Sequence, residues 1–154
     1  MNKILVAVDD TKGAEQAVKT LAGLSGVIQP ESILILNVQK LFGRSIMGEV
    51  LESDQDLNEI SAALEGSEYT EKLDAASNKI VKYYNALLEK AGFQNINTLV
   101  KNGHPAEQIV DTAKEEGVDL IVVGPRGRCL HTLLLGSVSR EVVNTAPVSV
   151  LIAH

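Results

Sequence analysis

The sequence predicts an open α/β sandwich, a parallel sheet covered by helices. Three observations lead there. Short apolar runs without polar alternation recur along the chain, which is how strands buried on both faces read. Amphipathic helical stripes separate them. The resulting order, β-α-β-α-β-α-β-α-β, requires crossovers between parallel neighbours, and right-handed crossovers set helices on both faces of the sheet. Finally, 154 residues, 45% hydrophobic and 22% charged, suit a single domain over 1–154 whose core needs neither disulfides nor a structural metal.

The first strand is Ile4-Leu5-Val6-Ala7-Val8, rich in β-branched residues. From Thr11, Ala14, Ala17, Val18, Leu21 and Ala22 fall at i, i+3, i+4, i+7 and i+8, the stripe of a helix ending near Gly23 to Gly26. Ser32-Ile33-Leu34-Ile35-Leu36-Asn37-Val38 is a second buried strand. An insertion follows at about 43–68. Its acidic part, 45–67, predicts a loop with one or two helical turns. From about Tyr69 a helix is predicted, with Leu73, Ala76, Ile80, Tyr83, Leu87 and Ala91 at helical spacing and at least one ring of the Tyr83-Tyr84 pair in the core. Thr98-Leu99-Val100 is a weaker strand. Pro105 opens a helix with the stripe Ala106, Ile109, Val110 and Ala113, and Gly117 lies past its end. Leu120-Ile121-Val122-Val123 is the fourth strand. A glycine-bearing loop from Gly124 to Gly136, a short helix from Ser137 to about Asn144 and a last strand from Val148 to Ile152 complete the chain.

Charge and composition narrow the function. Fourteen Lys and Arg against twenty Asp and Glu give a net charge of −6, which disfavours a generic grip on nucleic acid or an anionic membrane. Five aromatic rings (Phe42, Tyr69, Tyr83, Tyr84, Phe93) and no Trp leave little for a base-stacking platform. The lone Cys129 fits a reducing compartment. Met1-Asn2-Lys3 runs into an apolar string too short for a signal peptide, and no run is long enough to span a membrane, so a cytoplasmic protein is expected. The acidity is concentrated: residues 45–78 hold nine acids and one base, a charge of −8 that leaves +2 for the rest. That stretch is a candidate partner face or a solvated flap. No acid lies between Gly124 and Ser137, where Arg126 and Arg128 stand.

In an open parallel sheet, ligands bind beyond the carboxyl ends of the strands, where loop amides and helix N-termini converge. Those ends carry Asp9 and Asp10, Asn37-Val38-Gln39, Gly103-His104 and Gly124-Pro125-Arg126-Gly127-Arg128. Gly124-x-x-Gly127 lets backbone amides approach a ligand, and Gly136-Ser137 opens a helix whose free N–H groups and dipole favour an anion. Two such features suit a polyphosphate. Ser137 would add a hydroxyl or act as an ordinary N-cap. Neither G-x-x-x-x-G-K-[ST] nor G-x-G-x-x-G after a strand is present, which counts against a P-loop enzyme and a standard dinucleotide fold.

Six blocks in order resemble the universal stress protein family: Val6-Ala7-Val8-Asp9, Leu36-Asn37-Val38, Gly103-His104-Pro105-Ala106, the segment from Val118 to Gly124, the glycine loop through Leu135-Gly136-Ser137-Val138-Ser139, and the segment from Ala146 to Leu151. The resemblance implies a Rossmann-like, adenine nucleotide alpha hydrolase-like sandwich with five parallel strands in order 3-2-1-4-5. It also implies a homodimer through the last strand and, because the glycine loop is present, the ATP-binding type. By position, Asp9 would contact the ribose, Val38 would meet adenine through its main chain, and Ala7 and Val8 would line the base pocket. Gly124, Gly127, Gly136, Ser137 and Val138 would wrap ribose and phosphates, with Arg126 and Arg128 lending charge. ATP, ADP or AMP with Mg2+ is the implied ligand, and no metal-ligating side chain is singled out. One departure stands: the family pattern resembles G-x2-G-x9-G-[ST], whereas eight residues separate Gly127 from Gly136 here, and Pro125 stiffens the loop.

Other chemistries find less support. Asp9-Asp10 resembles the acidic pair of a receiver domain, but Leu99-Val100-Lys101-Asn102 supplies no phosphorylatable Asp. Asp10 reads as a solvated or helix-capping carboxylate. Cys129 and His131 lack an acid to orient the imidazole, His104 reads as a turn or cap residue, and Gly136-Ser137-Val138-Ser139 lacks the last glycine of a nucleophile elbow. No catalytic residue is assigned. The expected function is a nucleotide-binding regulatory stress protein acting through dimerisation or a protein partner, with no nucleic acid and no membrane span. A slow ATPase or phosphotransfer enzyme and a nucleotide-independent adaptor are the alternatives, and the missing general base and Walker lysine count against turnover.

Overall fold

The computed structural model describes residues 2–40, 68–125 and 135–154. In chain order these form β1 (Lys3–Val8), α1 (Lys12–Gly23), β2 (Ser32–Gln39), α2 (Glu68–Lys90), β3 (Ile96–Asn102), α3 (Pro105–Glu115), β4 (Leu120–Val123), α4 (Ser137–Thr145) and β5 (Ser149–Ile152). All strand pairs are parallel, as the alternation of elements predicts, and the sheet order is β3-β2-β1-β4-β5, as the resemblance implies. The expected loop at 45–67 lies outside the described residues.

Unalternating strands follow from a core on each side of the sheet. Ile4, Val6, Val8, Ile33, Ile35, Leu120 and Val122 pack with α1 and α2, through Ala17, Val18, Leu21, Val81, Tyr84 and Leu88. The intervening Leu5, Leu34, Leu36, Ile121 and Val123 pack on the other face against Ala106, Ile109, Val110 and Ala113 of α3 and Val142 of α4. Successive side chains of a strand point to opposite faces, so each face demands an apolar residue at every second position and the run becomes continuous.

Three expectations need correction. Of the stripe expected on α2, Ile80, Leu87 and the following Ala91 pack on the core and Tyr84 is the core ring of its pair, but the most deeply buried positions are Ser77, Val81, Tyr84 and Leu88, while Tyr83 is 56% exposed and Ala76 is exposed too. Hydropathy overlooks Ser77, which is buried because its hydroxyl meets Gln39 Nε2 at 3.0 Å; the same amide also donates to Asp74 Oδ1 at 2.9 Å. The third strand runs well beyond 98–100 because β3 is an edge, whose Asn97, Thr98 and Asn102 can face solvent. β5 starts at Ser149, the first residue paired with β4, rather than at Val148. Among the described residues no helix is long and apolar enough to cross a membrane.

Candidate functional site

Chain direction reverses its walk across the sheet at β1. From β1 the chain moves outward through β2 to β3, then returns to place β4 on the other side of β1. The connections leaving β1 and β4 therefore diverge, and a crevice opens beyond their carboxyl ends.

Local hydrogen bonds shape the β1 side of this crevice. Asp9 Oδ1 accepts from the Thr11 N–H at 2.9 Å and from the Thr11 hydroxyl. Thr11 is the extended N-cap of α1, its hydroxyl oxygen accepting from the Ala14 N–H, so one carboxylate oxygen of Asp9 fastens the turn into the helix. The capping role falls to Thr11 and not to Asp10, because only a residue immediately before the first helical turn reaches its N–H groups. Asp9 and Asp10 are both exposed. Among the described residues the other Asp9 oxygen, Oδ2, accepts no hydrogen bond, which leaves an acceptor at the crevice edge.

Buried Asn37 ties β2 to this edge by donating its amide to the Val8 carbonyl at 2.8 Å. Ala7, Val38 and Val138 are partly buried and pack on the same core, the α3–α4 side of the sheet. Val8 is different: its side chain lies in the opposite core, so only its main chain can meet a ligand on the side where Ala7 and Val38 lie.

At the end of β4, Gly124 packs directly on α1. A Cβ there would stand 2.2 Å from the Gly13 carbonyl oxygen, so this glycine is required by packing whatever it binds. Next to it, the Pro125 carbonyl accepts from the Gly136 N–H at 2.7 Å and from the buried Ser139 hydroxyl at 2.9 Å. These bonds clasp the base of the connection and hold the start of α4 at the end of β4. Gly136, not Ser137, is the N-cap, and a glycine brings no side chain to cap the helix; Ser137 is the first helical residue and exposed. The first-turn N–H groups have no acceptor within the helix, and their dipole end favours an anion. Arg126, Gly127 and Arg128 lie outside the described residues. Sequence reasoning placed Asn37 at a strand end and Ser139 in the glycine-loop block but gave neither a role, and it missed Thr11 and Gly13 as parts of this edge; of those two, Thr11 carried a local signal, as an N-cap type before an apolar stripe.

Tyr84 lies beneath the acidic end of β1. Burial, then the charges of Asp9 and Glu15, push its hydroxyl up to about 12 from the ordinary 10.0. The folded state therefore holds the proton more tightly than the unfolded chain. The stability this confers is complete below pH 10 and is lost as pH rises from 10 towards 12. Spectrophotometric titration should show one phenol ionising late, and Tyr84→Phe should remove that part of the alkaline loss; a normal titration of all tyrosines would contradict this placement.

A doubly wound parallel sheet, with an acidic acceptor and an uncapped helix start at its strand-end crevice, is an open α/β sandwich of the nucleotide-binding architecture. Residues 1–154 match the model of the universal stress protein family. The universal stress protein YxiE of Bacillus subtilis is 34% identical over 97% of this chain and 98% of its own length. The universal stress protein MJ0577 of Methanocaldococcus jannaschii is 30% identical over 97% of this chain and 93% of its own; in a structural superposition covering 99% of this chain and 94% of that one, its TM-score is 0.76. A universal stress family protein of Arabidopsis thaliana, solved with AMP bound, shares the fold at 20% identity and a TM-score of 0.64, covering 99% of this chain and 90% of that one. This chain belongs to the universal stress protein family.

Proposed function

We propose that this chain binds an adenine nucleotide, ATP with ADP or AMP as weaker competitors, in the crevice beyond β1 and β4, and acts as a regulatory protein whose partner contacts depend on occupancy. The observation that carries the reading is the start of α4, whose N-cap is a glycine and which is clasped to the end of β4 by Pro125, Gly136 and Ser139. Electrostatics orders the ligand. Asp9 and Asp10 repel phosphate and suit ribose hydroxyls, which a carboxylate accepts, whereas the α4 N-terminus attracts phosphate. The base then falls to Ala7 and the Val8 and Val38 main chains. Gly124, Gly136, Ser137 and Val138 are assigned to the ribose and phosphates, the sequence adds Gly127 with Arg126 and Arg128 lending charge, and Mg2+ is carried by the phosphates themselves. The AMP described with the Arabidopsis thaliana protein supports the adenylate part.

Dimerisation is proposed through β5, an outer strand of the sheet whose Val150, Leu151 and Ile152 are only partly covered; an unpaired edge is a ready partner for a second copy. Nucleotide released from freshly purified protein, followed by calorimetry with ATP, ADP and AMP, tests the binding. Binding with ATP preferred is expected. No binding at millimolar nucleotide would replace this reading with that of a nucleotide-independent adaptor.

A further inference from the structure

We propose that His104, Glu107 and Glu141 form a site for a divalent transition-metal ion of the Zn2+ or Co2+ kind, bridging the start of α3 to α4. His104 is the N-cap of α3 and Glu107 lies in its first turn, while Glu141 lies in the second turn of α4. One ligand atom from each residue lies within 4.8 Å of the others. A tetrahedral ion with bonds of about 2.0–2.2 Å separates its ligands by roughly 3.4 Å, so modest side-chain rotations close the set.

The imidazole supplies the independent observation. His104 Nδ1 is shielded from solvent and has no hydrogen-bond partner among the described residues, although polar atoms so placed are ordinarily satisfied. The nearest carboxylate oxygen, Glu141 Oε1, is 3.9 Å away, too far for a hydrogen bond and about the gap a metal ion must bring together. His104 makes no side-chain cap bond to its own helix, and Pro105 follows it at the helix start, so capping does not explain the ring's position. One imidazole and two carboxylates suit Zn2+ or Co2+ better than Mg2+ or Ca2+, which prefer oxygen throughout. Three protein ligands leave a position for water. None of the three residues belongs to the proposed nucleotide set, so the two sites stand or fall separately.

The test is titration of the nucleotide-free full-length protein with Co2+, followed by its visible absorption, with Zn2+ in competition and calorimetry for stoichiometry. One ion per chain is expected. His104→Ala and Glu141→Gln should each weaken binding by at least the roughly 10–100-fold that outer-shell metal partners command, with Glu107→Gln following. His154→Ala should leave it unchanged. Zn2+ should also raise the unfolding temperature of the wild type but not of His104→Ala. Absence of stoichiometric binding, or equal binding by wild type and His104→Ala, would overturn the site.

Discussion

Gly124→Ala should destabilise the protein by about 1–3 kcal/mol, the usual cost of forcing atoms into a well-packed interior. For a chain of this size that lowers the unfolding midpoint by roughly 2–12 °C. The added Cβ would lie 2.2 Å from the Gly13 carbonyl oxygen, 2.4 Å from its carbon and 2.8 Å from its Cα. Atoms of these kinds rest comfortably about 1 Å or more further apart. The obstacle is backbone at the buried start of α1, so no rotamer change relieves it and the helix must move off the sheet. Gly23→Ala is the matching control. It lies in the last turn of α1 with nothing within 4 Å of its Cβ position, so the same substitution should stabilise by about 0.4–1 kcal/mol. Thermal unfolding of the two variants should shift in opposite directions. A Gly124→Ala midpoint equal to that of the wild type would deny the close contact. A nucleotide-binding defect in Gly124→Ala would not by itself place phosphate at this residue, since α1 moves with it.

Asp9→Asn should weaken adenine nucleotide binding about 10–100-fold while leaving stability nearly unchanged. A hydrogen bond to a charged group contributes about 1.5–3 kcal/mol, and each 1.4 kcal/mol is about tenfold in affinity. The substitution separates two roles of one carboxylate. Asn Oδ1 still accepts from the Thr11 N–H and hydroxyl, as Asp9 Oδ1 does, so the entry into α1 survives. The other oxygen becomes an NH2 group, which cannot accept from a ribose hydroxyl. Asp9→Ala should lose both functions. Calorimetry beside thermal unfolding distinguishes them, and wild-type affinity in Asp9→Asn would reduce Asp9 to a turn residue.

Much of the fold was legible because its cause is local and repetitive. A strand covered on both faces must be apolar at every position, and Ile4-Leu5-Val6 and Leu120-Ile121-Val122-Val123 show it directly. Edge strands are less constrained, which is why β3 was foreseen only at its centre. The site was legible in part, since Asp9, Val38 and Gly136 sit at strand ends and a helix start that a βαβ reading locates. The partners that fix them were not.

The sequence by itself determined the alternation of strands and helices, the two-sided burial of the central strands and the uneven distribution of charge, because each is written in the periodicity and composition of neighbouring residues. Only the tertiary structure decided which face α2 buries, that Gly124 answers to Gly13, that Asn37 holds the end of β1, and that His104 stands beside Glu141. These are contacts between residues distant in the chain, several of them polar groups buried because a partner satisfies them. Hydropathy scores each residue by its own affinity for water, and such pairings exist only once the sheet order has brought the two segments together.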